Sequence, residues 1–283
     1  MPRDVDTILH YYADPGDGSE PTPIYVGQGT VTNERKMAQV QVTVHDITER
    51  ESEFTLDKTG FQLVTRPTTA AACVADNFEN VDLIKSEYFP DTVNLLKEET
   101  AATRVFIFDH KVRRGPADWH SRGQGNASQR GPLHRVHIDQ SYDGADFLVK
   151  WFLPDEADTL LQHRWQIINV WRPLHTIAKD PLAVADAHSV ADTDLVEARV
   201  VYRDHTRKTW TVKAPPAGSP PHKWHYKHQQ TTDEVMLIKC FDSADDGSVA
   251  RRVPHSAFRD KEYDDAPPRE SIEVRALVFY HGV

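Results

Sequence analysis

Apolar and polar residues alternate in short runs along most of this chain, the two-residue period of strands that bury one face. In the first half, residues 40–44, 61–65 and 104–110 read as strands. In the second half, strands are predicted at 133–139, 166–171, 195–202, 210–213, 223–228, 234–241, 249–255 and 271–280. Turn-forming clusters separate them, among them Pro215-Pro216-Ala217-Gly218 and Asp245-Asp246-Gly247. The period lengthens at Phe89-Pro90-Asp91, where a proline at the first helical position precedes Val93 and Leu96 on one face. A second helix is predicted from Pro154, with Asp155 and Glu156 at its positive end. No helices separate the later strands, which argues against a parallel α/β fold. The pattern predicts a mainly β jelly roll, a double-stranded β-helix, with flanking α-helices.

One domain over residues 1–283 is expected, since all-β folds of this length often form a single unit. Within it, residues 1–60 read as a polar N-terminal extension with one strand, and 61–283 as the helices and jelly-roll core. Residues 113–132, RRGPADWHSRGQGNASQRGP, read as a long loop of the kind that serves as a lid. Arg113, Arg114, Arg122 and Arg130 on it either meet an anionic ligand or are merely solvated.

Charge narrows the partners. With 43 acidic against 33 basic residues the formal net charge is −10, which argues against nucleic acid and anionic membranes. No apolar run is long enough to span a bilayer, and the first six residues carry charges of both signs without a leader-like apolar core. Cys73 and Cys240, far apart in sequence, suit a reduced, cytoplasmic protein. The expected partner is a small molecule; oligomeric state is not written in the sequence.

The chemistry centres on L-H-R-V-H-I-D, residues 133–139. On a strand, His137 and Asp139 share a face while Val136 and Ile138 take the other, so both reach one metal from adjacent corners. Fifteen histidines and 43 acidic residues make that spacing unremarkable by itself. Its weight comes from two phrases nearer the C-terminus: R-R-V-P-H with His255, and then R-E-S-I-E-V-R, with Arg269 opening the last strand and Ser271 two residues on. A distant histidine completes a facial triad, the arrangement of non-haem iron(II) oxygenases. A guanidinium with a neighbouring hydroxyl suits the distal carboxylate of 2-oxoglutarate. Arg275 lies on the same strand face and competes with Arg269 for that role. Elsewhere Asn169, Arg172 and Tyr226 are candidates for substrate contact, against plain packing or capping roles. His222, His225 and His228 have helical metal spacing on what reads as a strand, where His225 faces away from the other two, so zinc is not expected.

Taken in order, R-V-F-I-F-D-H-K-V-R-R, H-I-D, I-I-N-V-W-R-P-L, D-E-V-M-L-I-K-C-F-D-S, V-P-H-S-A-F and R-E-S-I-E-V-R-A-L-V-F-Y resemble a known family. It is the fungal hydroxylase/desaturase family related to gibberellin desaturases and the cephem methoxylase component. The resemblance spans about residues 60 to 280. It implies a double-stranded β-helix, iron(II), 2-oxoglutarate and dioxygen, and oxidation of a small secondary metabolite by hydroxylation, desaturation, epoxidation or cyclisation. By the same resemblance His137, Asp139 and His255 match the metal positions, and Arg269 and Ser271 the 2-oxoglutarate phrase. The rival readings are a non-catalytic jelly-roll binding protein and a metal-dependent hydrolase.

Overall fold

The computed structural model describes residues 2–27 and 29–280. Its strands are β1 (Val5–Tyr12), β2 (Ile24–Gly27), β3 (Thr30–Val31), β4 (Met37–Asp46), β5 (Phe61–Thr65), β6 (Arg104–Arg113), β7 (His137–Ile138), β8 (Trp165–Pro173), β9 (Leu182–Ala185), β10 (Leu195–Val201), β11 (Thr206–Val212), β12 (Trp224–Tyr226), β13 (Glu234–Asp242), β14 (His255–Ala257) and β15 (Ser271–Phe279). They form two sheets. One runs β5-β13-β8-β15-β6 and is antiparallel throughout. The other runs β1-β4-β12-β9-β14-β7-β11-β10-β2-β3, with parallel neighbours at β4–β12 and β10–β2. The molecule is mainly β, with few helices.

Strand β8 shows why the sheets lie as they do. All nine of its residues are buried, yet its two faces differ. Trp165 and Ile167 pack with Leu9, Val44, Val136 and Ala183 of the larger sheet. Ile168 and Val170 pack with Leu95 and Leu96 of the helix Phe89–Thr100, which covers the outer face. Strand β15 splits the same way: Leu277 and Phe279 face inward, while Ile272, Val274, Ala276 and Val278 face the helix. A sheet covered on both sides reads as continuous apolar sequence, and the few polar residues on its inner face stand out. On β8 and β15 those residues are Asn169, Ser271, Glu273 and Arg275, and β6 adds their register partners Asp109, Lys111 and Arg113.

Several elements depart from expectation. The helix predicted from Pro154 lies instead before it, at Tyr142–Phe152, and only the short turn Ala157–Leu160 follows. Ser141 caps that helix, its Oγ accepting from Gly144 N at 3.1 Å. Gly144 is required there, because a Cβ would stand 2.1 Å from the Lys208 carbonyl oxygen. The strand expected at 133–139 shrinks to His137–Ile138, and Asp139 follows in a bend. The strand expected at 249–255 is irregular up to β14, which His255 opens rather than closes. Pro254 has no N–H for a ladder, Val253 N donates across to Lys239 O of the other sheet, and Arg252 donates to Ala187 O and Val190 O. Arg269 lies just before β15 rather than on it. Strand β9 was not foreseen; it joins β14 to β12.

The first 60 residues supply four strands of the larger sheet rather than one on an extension. Strand β1 pairs with β4 along its whole length and buries Val5, Thr7, Leu9 and Tyr11. Its hydrophobic pattern is broken by Thr7, whose hydroxyl is satisfied inside by the Arg259 carbonyl at 2.7 Å. Strands β2 and β3 are four and two residues long, too short for a period.

Candidate metal centre and co-substrate cavity

Strands β7 and β14 are antiparallel neighbours, and their register sets His137 directly opposite His255. The two imidazole centroids are 4.5 Å apart. Asp139, two residues along, turns its Oδ1 to 3.7 Å from His137 Nε2. Among the described residues, these three form the one group of three or more His, Cys, Asp or Glu side chains with all ligand atoms within 4.8 Å of one another.

Backbone carbonyls set the tautomers. His137 Nδ1 lies 2.9 Å from the Arg135 oxygen and His255 Nδ1 3.2 Å from the Val253 oxygen. A carbonyl only accepts, so each Nδ1 carries the proton and each Nε2 presents a lone pair to the centre. Burial, with His255 and Arg135 nearby, holds the His137 pKa well below its ordinary value. For Asp139 burial pushes the pKa up, but Arg275, His255 and the Asn169 hydrogen bond outweigh it and leave it lowered. A neutral imidazole and an ionised carboxylate are the states a divalent cation needs.

The other sheet clamps Asp139. Asn169 of β8 and Arg275 of β15 are register partners. Asn169 Nδ2 donates to Asp139 Oδ2 at 2.5 Å, and Arg275 Nη2 approaches the same oxygen at 3.1 Å. Arg275 also pairs with Glu273 at 2.7 Å and faces Asp109 at 3.8 Å. Three carboxylates thus surround one guanidinium, which occupies Arg275 fully.

Arg269 has the opposite surroundings. It is 3% exposed, stacks on Trp171 with 5.4 Å from its guanidinium carbon to the ring centroid, and donates from Nη1 to the Asp180 carbonyl at 2.8 Å. Its Nε and the hydroxyl of Ser271 are buried without partners. Burial and the neighbouring Arg113 push its pKa down to about 10. A small cavity is lined by Arg269, Glu273, Arg113 and Trp171 together with both histidines. An arginine with a free Nε and two candidate ligand histidines around one cavity, with the partnerless Ser271 hydroxyl two residues from Arg269, fit a dicarboxylate bound between them.

A second, larger cavity is lined by both His137 and Asp139. The 113–132 segment forms part of its wall through Trp119, His120 and Arg130. That segment is anchored: Asn126 exchanges hydrogen bonds with the backbone of Val31 in β3, at 2.8 and 2.9 Å.

Of the other candidates, Arg172 faces the helices, giving Nε to the Tyr88 hydroxyl at 2.9 Å and Nη1 to the Arg66 and Thr232 carbonyls. Tyr226 donates its hydroxyl to Arg3 O at 2.6 Å and packs on Phe258, lining neither cavity. Asn169 faces Asp139 rather than open space. His222 is held between the Tyr11 hydroxyl and Asp194, each at 3.1 Å. Glu273 is a further residue of the smaller cavity, and its alternation with Ser271 and Arg275 on one strand face is the sequence signal that marks it.

A family model described as an oxidoreductase/YMDC permease-like domain matches residues 9–279. The hydroxylase/desaturase efuI of Hormonema carpetanum is 38% identical, over 98% of this chain and 95% of its own length. The alpha-ketoglutarate-dependent dioxygenase phiK of a fungal species (strain ATCC 74256) is 34% identical, over 98% of this chain and 96% of its own. In three dimensions the chain is similar to a single-substitution variant of the iron and alpha-ketoglutarate-dependent endoperoxidase NvfI. The TM-score is 0.84 at 26% identity, covering 99% of this chain and 98% of the other.

Proposed function

The chain belongs to the fungal hydroxylase/desaturase family of iron(II)- and 2-oxoglutarate-dependent oxygenases, and on that premise we propose that His137, Asp139 and His255 hold the iron while Arg269 and Ser271 anchor 2-oxoglutarate. It is an oxidoreductase that takes iron(II), 2-oxoglutarate and dioxygen and acts on a small secondary metabolite. We further assign the two sheets to a double-stranded β-helix in a single domain; polar residues on their facing surfaces, metal ligands on one and their clamp on the other, support this.

One observation carries the assignment of the centre: two Nε2 lone pairs and one carboxylate oxygen converge, and each is fixed by a partner behind it. When bound, the iron with 2-oxoglutarate supplies the power to break a substrate C–H bond with dioxygen as oxidant and succinate and carbon dioxide as by-products. The protein's part is positional. His137 and His255 turn Nε2 to the centre, each ring held by a carbonyl at Nδ1. Asn169 and Arg275 hold one oxygen of Asp139, leaving the other to bind. Arg269, gripped by Trp171 and Asp180, lines the smaller cavity, and its Nε and the nearby Ser271 hydroxyl are left for the co-substrate carboxylate. The larger cavity is left to the substrate, next to His137 and Asp139.

A non-catalytic binding protein would not require the second anion pocket, and the relatives are oxygenases. Conversion of 2-oxoglutarate to succinate, with dioxygen consumed, is the expected activity in the presence of iron(II). Release of succinate by His255→Ala at the wild-type rate would remove His255 from the centre. Absence of succinate from the wild type, with and without candidate metabolites, would count against the whole assignment.

A further inference from the structure

The larger cavity is strongly cationic. Arg35, Arg113, Arg130, Arg135, Arg207 and Arg275 line it, with Asp139 as the one acidic side chain among the described residues of the lining. This occurs in a chain of net charge −10, so the concentration of arginines is local rather than compositional.

Most of these guanidiniums are already engaged. Arg275 is paired with Asp139 and Glu273. Arg207 faces Asp109 at 4.0 Å. Arg35 donates to the Thr22 and Arg199 carbonyls, Arg113 to Gly131 O, and Arg130 to Ala127 O. Arg135 differs: its Nε and Nη1 are buried and have no partner among the described residues. A buried guanidinium left unpaired is costly, and such a group persists when a ligand completes it. Gln140 Oε1 and Trp119 Nε1, on residues of the same lining, are also buried without partners. The cationic field is felt nearby: burial, then Arg135, Arg113 and Arg130, push the His120 imidazole down to about 3.

Position adds a second argument. The Arg135 carbonyl fixes the tautomer of His137, so its side chain leaves the chain two residues from a metal ligand and reaches into the cavity that His137 and Asp139 also line. The 2-oxoglutarate carboxylate has its own proposed partners in Arg269, which lines the smaller cavity and not the larger one, and Ser271. We propose that the substrate carries a carboxylate, and that Arg135 is the residue that seats it beside the metal centre. This rests on the oxygenase reading above. The guanidinium fork matches a carboxylate in two parallel hydrogen bonds, which also fixes which carbon of the substrate faces the centre.

The probes are benzoate and benzamide, alike in shape and different in charge. They are titrated without dioxygen into protein loaded with iron(II) and 2-oxoglutarate, and heat is measured. Benzoate should bind at least about tenfold tighter than benzamide, the lower end of what a charge-assisted pair supplies. R135Q should erase that preference and leave 2-oxoglutarate binding unchanged. R135K, which keeps the charge and loses the fork, should retain part of it; a melting curve for each variant checks folding. Benzoate binding no tighter than benzamide, or not at all, overturns the proposal, as does a preference that survives in folded R135Q. A loss of 2-oxoglutarate affinity in R135Q without change for benzoate also overturns it and makes Arg135 a co-substrate residue. Failure of the wild type to take up 2-oxoglutarate with iron is visible before any probe is added, and counts against the oxygenase reading itself.

Discussion

Each imidazole of the metal centre gives its Nδ1 proton to the carbonyl two residues upstream, Arg135 for His137 and Val253 for His255. The carboxylate is fixed differently, by Asn169 and Arg275 from the facing sheet. Asn169→Ala should therefore loosen Asp139 and weaken iron binding about 10- to 100-fold, as removal of an outer partner of a ligand commonly does. Competition against a coloured chelator measures it; unchanged affinity would mean Arg275 alone suffices. Arg269→Lys should weaken 2-oxoglutarate about 10- to 150-fold, the loss of a charge-assisted bond of about 1.5–3 kcal/mol, and spare iron. Titration of iron-loaded protein with 2-oxoglutarate checks this, and a larger effect from Arg275→Lys with iron affinity intact would reverse the choice. The sequence left Arg269 and Arg275 as rivals because alternation puts them on one face. What separates them is long-range: Asp109, Asp139 and Glu273 converge on Arg275, whereas Arg269 receives a carbonyl and an indole face.

At the scale of elements, the last strand β15 serves both parts of the site, with Glu273 lining the smaller cavity and Arg275 holding Asp139. Its neighbour β8, and β13 beyond it, owe part of their stability to a buried charge cluster at the far end of the sheet. Asp242 accepts from Arg164 at 2.8 Å, Lys239 at 2.8 Å and Gln166 at 2.6 Å, and Lys239 and Asp242 are wholly buried. Burial pushes the Asp242 pKa up, but the bond from Arg164 and the charge of Lys239 outweigh it and leave it depressed. A depressed carboxylate contributes its stability above its unfolded pKa and loses it as pH falls through the folded one. Resistance to denaturant should hold at neutral pH and fall below the usual carboxylate range. Asp242→Asn should cost about 3–5 kcal/mol at neutral pH by leaving Lys239 buried without its charge partner. Urea unfolding measures it, and a loss under about 1 kcal/mol would show that Asp57 carries Lys239 by itself. Long, two-sided strands such as β8, β13 and β15 were legible from their apolar runs. Among the strands of two to four residues, β12 and β7 fell within predicted runs, 223–228 and 133–139, whereas β2, β3 and β9 did not, since such short strands owe their existence to neighbours in the sheet rather than to a period of their own. The helix Tyr142–Phe152 was missed because its cap, Ser141, precedes a run whose small Gly144 and Ala145 hide the apolar face.

For the molecule as a whole, the proposed ligands His137 and His255 lie on one sheet, with Asp139 just past β7, while Asn169 and Arg275 reach Asp139 from the other, so contact between the two sheets assembles the proposed centre. The first 60 residues take part in that closure through β1 and β4, a role their polar composition concealed. Family and chemistry were readable in the order of phrases from R-V-F-I-F-D-H to R-E-S-I-E-V-R; the division into two cavities that share His137 was not, because it arises from contacts between residues far apart in the chain. The central claim is that His137, Asp139 and His255 together hold one iron to which 2-oxoglutarate then binds. Adding iron(II) and 2-oxoglutarate without dioxygen should produce a weak visible charge-transfer band, from one metal per chain, in the wild type and in His188→Ala, which alters an exposed histidine remote from the centre. The band should be absent from folded His137→Ala, Asp139→Ala and His255→Ala at the same concentrations. No band in the wild type, or a full band in any of the three ligand variants, would contradict the account.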